Sequence, residues 1–583
     1  MSRKKKIIIS LSIIGMFLIS LAVSYAYFSA VIYNNESTST IVGTAAYLEL
    51  TFEDGSPEIS ASDIIPGWSA SKTFKVKNTG ENTAYYVLKI TDITNDLMPQ
   101  GLSYKIESED GGANITKDTI PYLPMAVSSV IELPVNTTHN YTITTYYNNL
   151  EYDQSTDIGK SFTYSVGIEA VYKREINTIE DLVDISNESK NGNSFEHIFF
   201  LLTRDLDFKD SNSYRNPNDA SYGDVNGNGV VETIKEELTN ENGMGFRGIA
   251  LKTEISFKGY LDGGNHRIDN LYINNNIAGE VAFINRVQNT TIMNLTISGK
   301  SKSTSTTKAV GGLIGNAQTN TVIYNCHNEV DIENVSYDYT SSAGLVQWVY
   351  GDTYIKNSSN SGNIKGAETN AGIVSWVSTT NSKKLILENV LNNGEITNDK
   401  GIIAGGLVGS IDGSAINTVK IINSKNNAKI TLSSSRDSTM YVGGLVGYNK
   451  GRTTDVYYSE NNGNILGLNN YIGHYINISG GIAKSGEIIN SIANIYYTTN
   501  NGTIKRTIND YNNSFDTRIA GIGASIIYGS ITNCNNTGDV IIEYNSGTVG
   551  GRYIGGIYAE KGSTVIATDN TNTGAIRITN TGE

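Results

Sequence analysis

The stretch AGGLVGS, Ala404 to Ser410, sets three glycines among aliphatic residues. A loop that cradles phosphate uses glycine because backbone N–H groups must come close to the anion at a helix N-terminus, and such a loop occurs once per domain. Here the motif recurs as VGGLIG, AGLVQW, AGIVSW, VGGLVG, SGGIAK, AGIGAS and IGGIYA. The glycine before the aliphatic residue falls at 312, 344, 372, 406, 444, 481, 521 and 556. A second signature follows in most units: NSGNI at 360, NNGEI at 392, NNAKI at 426, NNGNI at 461, NNGTI at 500, NTGDV at 536 and NTGAI at 572.

A period of 20–50 residues marks a solenoid, in which one unit cannot bury its apolar face alone and neighbours complete the core. Pieces such as VKIINS and AKITL are too short for helices and have strand character. Asn-Gly is expected to supply the positive φ of a corner, stacked asparagines to bond one another from unit to unit, and the elbow glycine to admit neighbouring backbone. The nucleotide-loop reading is set aside. These motifs, with the lead-in FKGYLDGGNHRIDNLYI from Phe257, resemble the GLUG motif of bacterial surface proteins over about residues 176–583. The resemblance implies a right-handed parallel β-helix and a role in adhesion or at the cell surface.

The region before it reads differently. From Ala45 to Tyr172, strand-like runs alternate with Gly/Asn/Asp turns at the spacing of an antiparallel β-sandwich. In FKVKNTG, Phe74 and Val76 fall on one face and Lys75 and Lys77 on the other. IIPGWSASKTFKVKNTGENTAYYVLKI and FTYSVGIEAVY resemble the TasA/camelysin family, which implies a jelly-roll-like sandwich and, for some members, fibres of the biofilm matrix. Between sandwich and repeats, residues 173–255 read as a cap: Thr178 and Asp181 open a helix, and HIFFLLTRDLDF is a buried strand. The expected fold class is therefore all-β, with a sandwich at 45–172 and a β-helix at 256–583.

The chain has 583 residues, which as a soft prior suggests roughly four domains. Its net charge is −14, with no basic stripe, so nucleic acid is excluded as a partner. Arg3, Lys4, Lys5 and Lys6 precede an uncharged run from Ile7 to Ile32. Ser24-Tyr25-Ala26 ends this run as a signal peptide would, and SYAYFSA resembles the signal ends processed by SipW-type peptidases. The competing reading is an uncleaved membrane anchor, because the run is long enough to span a bilayer. If cleaved, residues 27–44 form a β-prone arm, and YFSAVIYNN is expected to add to the sandwich edge of a neighbouring copy. The expected location is secreted or cell-surface, membrane-anchored only if the segment is retained.

Candidate sites are few. DVNGNGVVETIKEE places Asp224, Asn226, Asn228, Val230 and Glu232 at positions 1, 3, 5, 7 and 9 of a calcium loop. Lys235 occupies position 12, and Glu236 comes one residue late. Calcium competes here with a plain Asx/Gly-rich turn. The five histidines, at 139, 197, 266, 327 and 474, never fall a helical turn apart, which rules out a zincin helix. Cys326 and Cys534 sit at equivalent repeat positions, too far apart to bond. Trp348 and Trp376 read either as packing or as a platform for sugar rings. A polysaccharide-cleaving β-helix needs carboxylates in one column, and Asp352, Glu395 and Asp539 occupy different registers or stand alone. The expectation is a non-enzymatic structural or adhesive protein whose partners are surface or matrix components, including glycans. The alternative is a polysaccharide-binding or polysaccharide-degrading β-helix. The chain stops at TNTGE without a capping element or an LPxTG-like signal. That ending is expected to mean a longer protein or a partner on the open end.

Overall fold

The computed structural model describes residues 25–26, 42–45, 48–55, 64–208, 246–250, 254–273, 280–303, 309–334, 340–378, 384–398, 401–412, 418–434, 439–451, 453–469, 476–485, 491–508, 517–544 and 552–580. Two compact units divide the chain: Met1–Arg174 with His197–Leu201, and Glu175–Glu196 with Leu202–Glu583.

In the first unit, two antiparallel sheets enclose one core. One has the order Val42–Ala45, Leu48–Asp54, Ser69–Asn78, Thr138–Tyr147, Leu102–Glu107, Ile115–Thr119. The other runs Tyr25–Ala26, Phe162–Ala170, Ala84–Asn95, with Met125–Ala126 and Ile131–Leu133 both on the last of these. The alternation read from FKVKNTG holds, with Phe74 and Val76 buried and Lys75 and Lys77 exposed. Phe52, Phe74 and Tyr141 stack in series at 5.3 and 4.8 Å. The short strands at 115–119, 125–126 and 131–133 had no signal in the sequence reading, because each is too brief to show a period.

A polar cluster lies inside this apolar core. The Tyr86 hydroxyl lies 2.8 Å from His139 Nδ1 and 2.5 Å from the Tyr141 hydroxyl. Burial pushes the His139 pKa down, and the nearby Asp110 opposes that shift. A histidine held neutral in the fold costs stability once the unfolded chain, with its ordinary value near 6.5, takes up a proton. The contribution is therefore intact above about pH 6.5 and is lost as pH falls below it. Thermal melts of the sandwich between pH 7 and 5 should show a falling midpoint that His139→Gln flattens. Parallel curves for the two proteins would contradict this.

In the second unit, each coil visits four sheets. One coil begins with Thr353–Lys356, then runs through Ser359–Asn360 and Ile364–Gly366, through Thr369–Ala371, and across the Gly372-Ile373 elbow into Val374–Ser378. Lys384–Glu388 opens the next coil, directly against Thr353–Lys356 in parallel register. The two sheets flanking the elbow are nine strands deep, and every pairing in them is parallel. Inward columns are aliphatic: Ile364, Ile396, Ile430, Ile465, Ile504 and Val540 are all buried. This is the expected parallel β-helix.

The first coil is covered from the N-terminal side. The helix α1, Ile179–Lys190, starts on the predicted capping box, with Asp181 N–H donating to Thr178 Oγ1 and Thr178 N–H to Asp181 Oδ2. Two small residues tie it down: Ser186 Oγ donates to the Gly248 carbonyl, and Ala250 N–H donates to Ser189 Oγ. Rings then fill the layer beneath it, with Phe246 5.6 Å from Phe208 and 5.8 Å from Phe283.

Two expectations from the repeat need correction. The positive φ does not lie at Asn-Gly. It lies at the corner residue ahead of the ladder sheet: Asn294, Asn325, Asn357, Asn389, Asn423, Tyr458, Tyr497, Asn533 and Asp569, with φ of 47–55°. The glycines of the second signature serve close approach instead. A Cβ on Gly394, Gly502, Gly538 or Gly574 would run into the carbonyl of the equivalent glycine one coil earlier. In the SGGIAK unit the column glycine is Gly480, because Ser479 pairs with Gly443 and Ala520, while Gly481 replaces the usual leucine.

Arg506 stands out in its column as a buried cation. Arg506 is fully buried between Gly467 and Ile542 in its column, and its Nε and Nη1 have no hydrogen-bond partner. Burial pulls its pKa down to about 9. Taking an ion out of water costs several kcal/mol when no opposite charge offsets it. Arg506→Met is accordingly expected to raise the melting temperature, and a lower one in scanning calorimetry would contradict that.

Candidate functional site

The two signatures of the repeat meet inside the coil. Asn328, Asn360, Asn392, Asn426, Asn461, Asn500, Asn536 and Asn572 form one column. From Asn328 to Asn536, each Nδ2 donates to the Oδ1 of the next at 2.6–2.9 Å. The same Nδ2 donates its other hydrogen to the carbonyl two residues on, as Asn461 does to Gly463 at 2.9 Å. Both donors of the seven buried amides are thus satisfied, as a buried polar group requires. Across the coil this column packs on the elbow glycines: a Cβ at Gly344, Gly406, Gly444 or Gly521 would overlap Asn360, Asn426, Asn461 or Asn536 respectively. The elbow needs glycine because the ladder fills its space.

Outside the elbow, residues from its two sheets face each other; Trp348, Trp376, Tyr441 and Lys484 are half-buried there, whereas Ser410, Tyr448 and Ser525 are buried. Tyr441 and Tyr448 stack across it at 4.3 Å, and Arg518 pairs with Glu560 at 2.5 Å. Glu280 and Arg286 pair across it at 3.0 Å. Trp348 and Trp376 are direct neighbours in the outward column, followed by Ser410, Tyr448, Lys484, Ser525 and Glu560. Trp348 is held: its ring lies edge-on to Tyr350 at 5.8 Å, and its Nε1 donates to the Gln347 amide. Trp376, half-buried, has no ring contact or hydrogen bond among the described residues. Sequence reading found both tryptophans and missed Tyr441, Tyr448 and Lys484, because membership of a column depends on strand pairing rather than on a motif.

Other candidates do not converge. Glu395 and Asp539 do share a column, since Ile396, Ile430, Ile465, Ile504 and Val540 pair in register. For these two residues this corrects the expectation of different registers, while each still stands alone in its coil. They remain four coils apart, roughly 19 Å at the spacing of parallel strands, well beyond the separation of a glycosidase pair. His139, His197, His266 and His327 engage Tyr86, Glu169, Asp205 and Ser359 respectively, in four separate places. His474 and all the calcium-loop residues, Asp224, Asn226, Asn228, Val230, Glu232 and Glu236, lie outside the described residues. Among the described residues no group of three or more metal-ligating side chains gathers. Cys326 and Cys534 are free and buried, their thiols pushed up to about 12 by burial, and Cys326 N–H donates to Ser358 Oγ in the next coil.

Residues 306–333 match the family described as the GLUG motif. No curated protein matches the chain. Among solved structures, a crystal structure of a candidate immunoglobulin A1 protease from Bacteroides ovatus is similar over 58% of this chain and 77% of that one, at 13% identity and a TM-score of 0.33. So loose a superposition carries no functional inference.

Proposed function

We propose that this chain is an extracellular or cell-surface β-helix protein with a structural, adhesive role, and not an enzyme. The observation that supports this most is the ladder-locked stack of coils. The repeats spend their defining residues, elbow glycine and ladder asparagine, on holding the next unit. Stacked repeats of this kind present long, rigid surfaces. An antibody against the solenoid should label intact producing cells or their matrix, and deleting the gene should weaken attachment. Labelling only after lysis would refute the reading.

The two remaining expectations belong to this proposal. The N-terminal segment is a cleaved signal, and the arm from Tyr27 to Asn35 joins copies through a sandwich edge; unchanged sedimentation after its deletion would refute this. The Asp224–Glu236 loop takes calcium, with Lys235 weakening it; calorimetry without heat at millimolar calcium would refute that. No helix among the described residues is long and apolar enough to cross a membrane.

A further inference from the structure

The outward column beside the elbow changes character along the solenoid. Trp348 and Trp376 occupy adjacent coils, Ser410 follows, then Tyr448 under Tyr441, then Lys484. Successive positions are separated by one strand spacing, about 4.8 Å, close to the length that one pyranose adds to an extended glycan. An aromatic ring presents an apolar face with a polar rim, which suits the C–H face of a sugar.

The cation at the far end is the second observation. Lys484 makes no ion pair and no hydrogen bond among the described residues, although it is half-buried. Two cations lie near it: Arg518, itself paired with Glu560, stands in the facing column one coil on, and Lys450 sits over the Tyr448 ring at 4.9 Å. Burial, and after it the charges of Arg518 and Lys450, hold the Lys484 pKa below the ordinary lysine range, with Glu560 opposing. A half-buried lysine beside other cations is a place where an anion relieves repulsion.

We propose that the outer elbow, from Trp348 to Lys484, binds an anionic polysaccharide of uronic acid units, lying along the solenoid axis with sugar rings on the tryptophans and a carboxylate at Lys484. The aromatic positions favour a pyranose chain over a polyol phosphate, which has no ring to stack. The inference stands on the elbow alone and does not need the adhesive reading, since it is tested on purified protein.

The test is calorimetry of the full chain with polygalacturonate, neutral dextran and polyglycerol phosphate. Polygalacturonate should bind with salt-sensitive affinity, and the other two at least about tenfold more weakly, a difference of roughly 1.4 kcal/mol. Trp376→Ala and Lys484→Glu should each weaken polygalacturonate at least about tenfold, with circular dichroism unchanged. Lys484→Arg should retain binding. Equal binding of dextran, preference for the polyphosphate, or wild-type affinity in Lys484→Glu would each overturn the proposal. If polygalacturonate binds while cell labelling fails, only the surface reading falls; the reverse result removes only this one.

Discussion

Gly406→Ala should destabilise the solenoid by about 3 kcal/mol or more, a larger effect than most single methyl groups produce. The added carbon would overlap the Gly444 carbonyl on one side and the Asn426 side chain on the other. The first is backbone held by the parallel pairing of Ile403–Gly405 with Met440–Gly443, and cannot give way without parting two coils. The second is a member of the ladder, bonded to Asn392 and Asn461. Calorimetry of the full chain should show a lower melting temperature. Hydrogen exchange should show lost protection concentrated in the two coils around Gly406, because each repeat touches only its neighbours. An unchanged melt would mean that the elbow relaxes where the packing says it cannot.

Asn461→Ala should cost on the order of 4 kcal/mol, since it orphans several buried polar groups worth about 1–3 kcal/mol each. Asn426 Nδ2 loses its acceptor, Asn500 Oδ1 loses its donor, and the Gly463 carbonyl loses a partner. All of these lie in fully buried asparagine positions or beside them. Asn461→Asp separates hydrogen bonding from volume. A carboxylate there accepts from Asn426 but has nothing to donate to Asn500, so the fold favours its protonated form and raises its pKa. Stability from that proton is present below the unfolded value near 3.9 and is lost as pH rises through the folded one. The aspartate variant should therefore recover stability on acidification while the alanine variant does not. Identical pH profiles for the two would show that shape alone, not the ladder, matters at this position.

Much of this architecture was legible in the chain. Glycine before Leu-Val and asparagine before a small residue are local signals, repeated in unit after unit, and each has a short-range cause in backbone access or in a stackable amide. The capping box at Thr178 and the alternation around Phe74 are equally local, and both hold. The candidate site was only half legible. Trp348 and Trp376 stand out by residue type, but nothing in the sequence says that Lys484 continues their column, because the loops between strands differ in length from coil to coil.

The sequence by itself determined that the units stack, that the stack is built of strands, and that glycine and asparagine are its fixed points. Those conclusions need only periodicity and the steric limits of single residues. The tertiary structure alone decided which residues meet across coils. It moved the left-handed corner from Asn-Gly to Asn325 and its equivalents, chose Gly480 over Gly481, placed Glu395 and Asp539 in one column, and set the elbow glycines against the asparagine ladder. The physical reason is that parallel strand pairing fixes register by backbone hydrogen bonds between coils. A one-residue slip in a loop is invisible in the motif, yet it reassigns every side chain that follows to the opposite face.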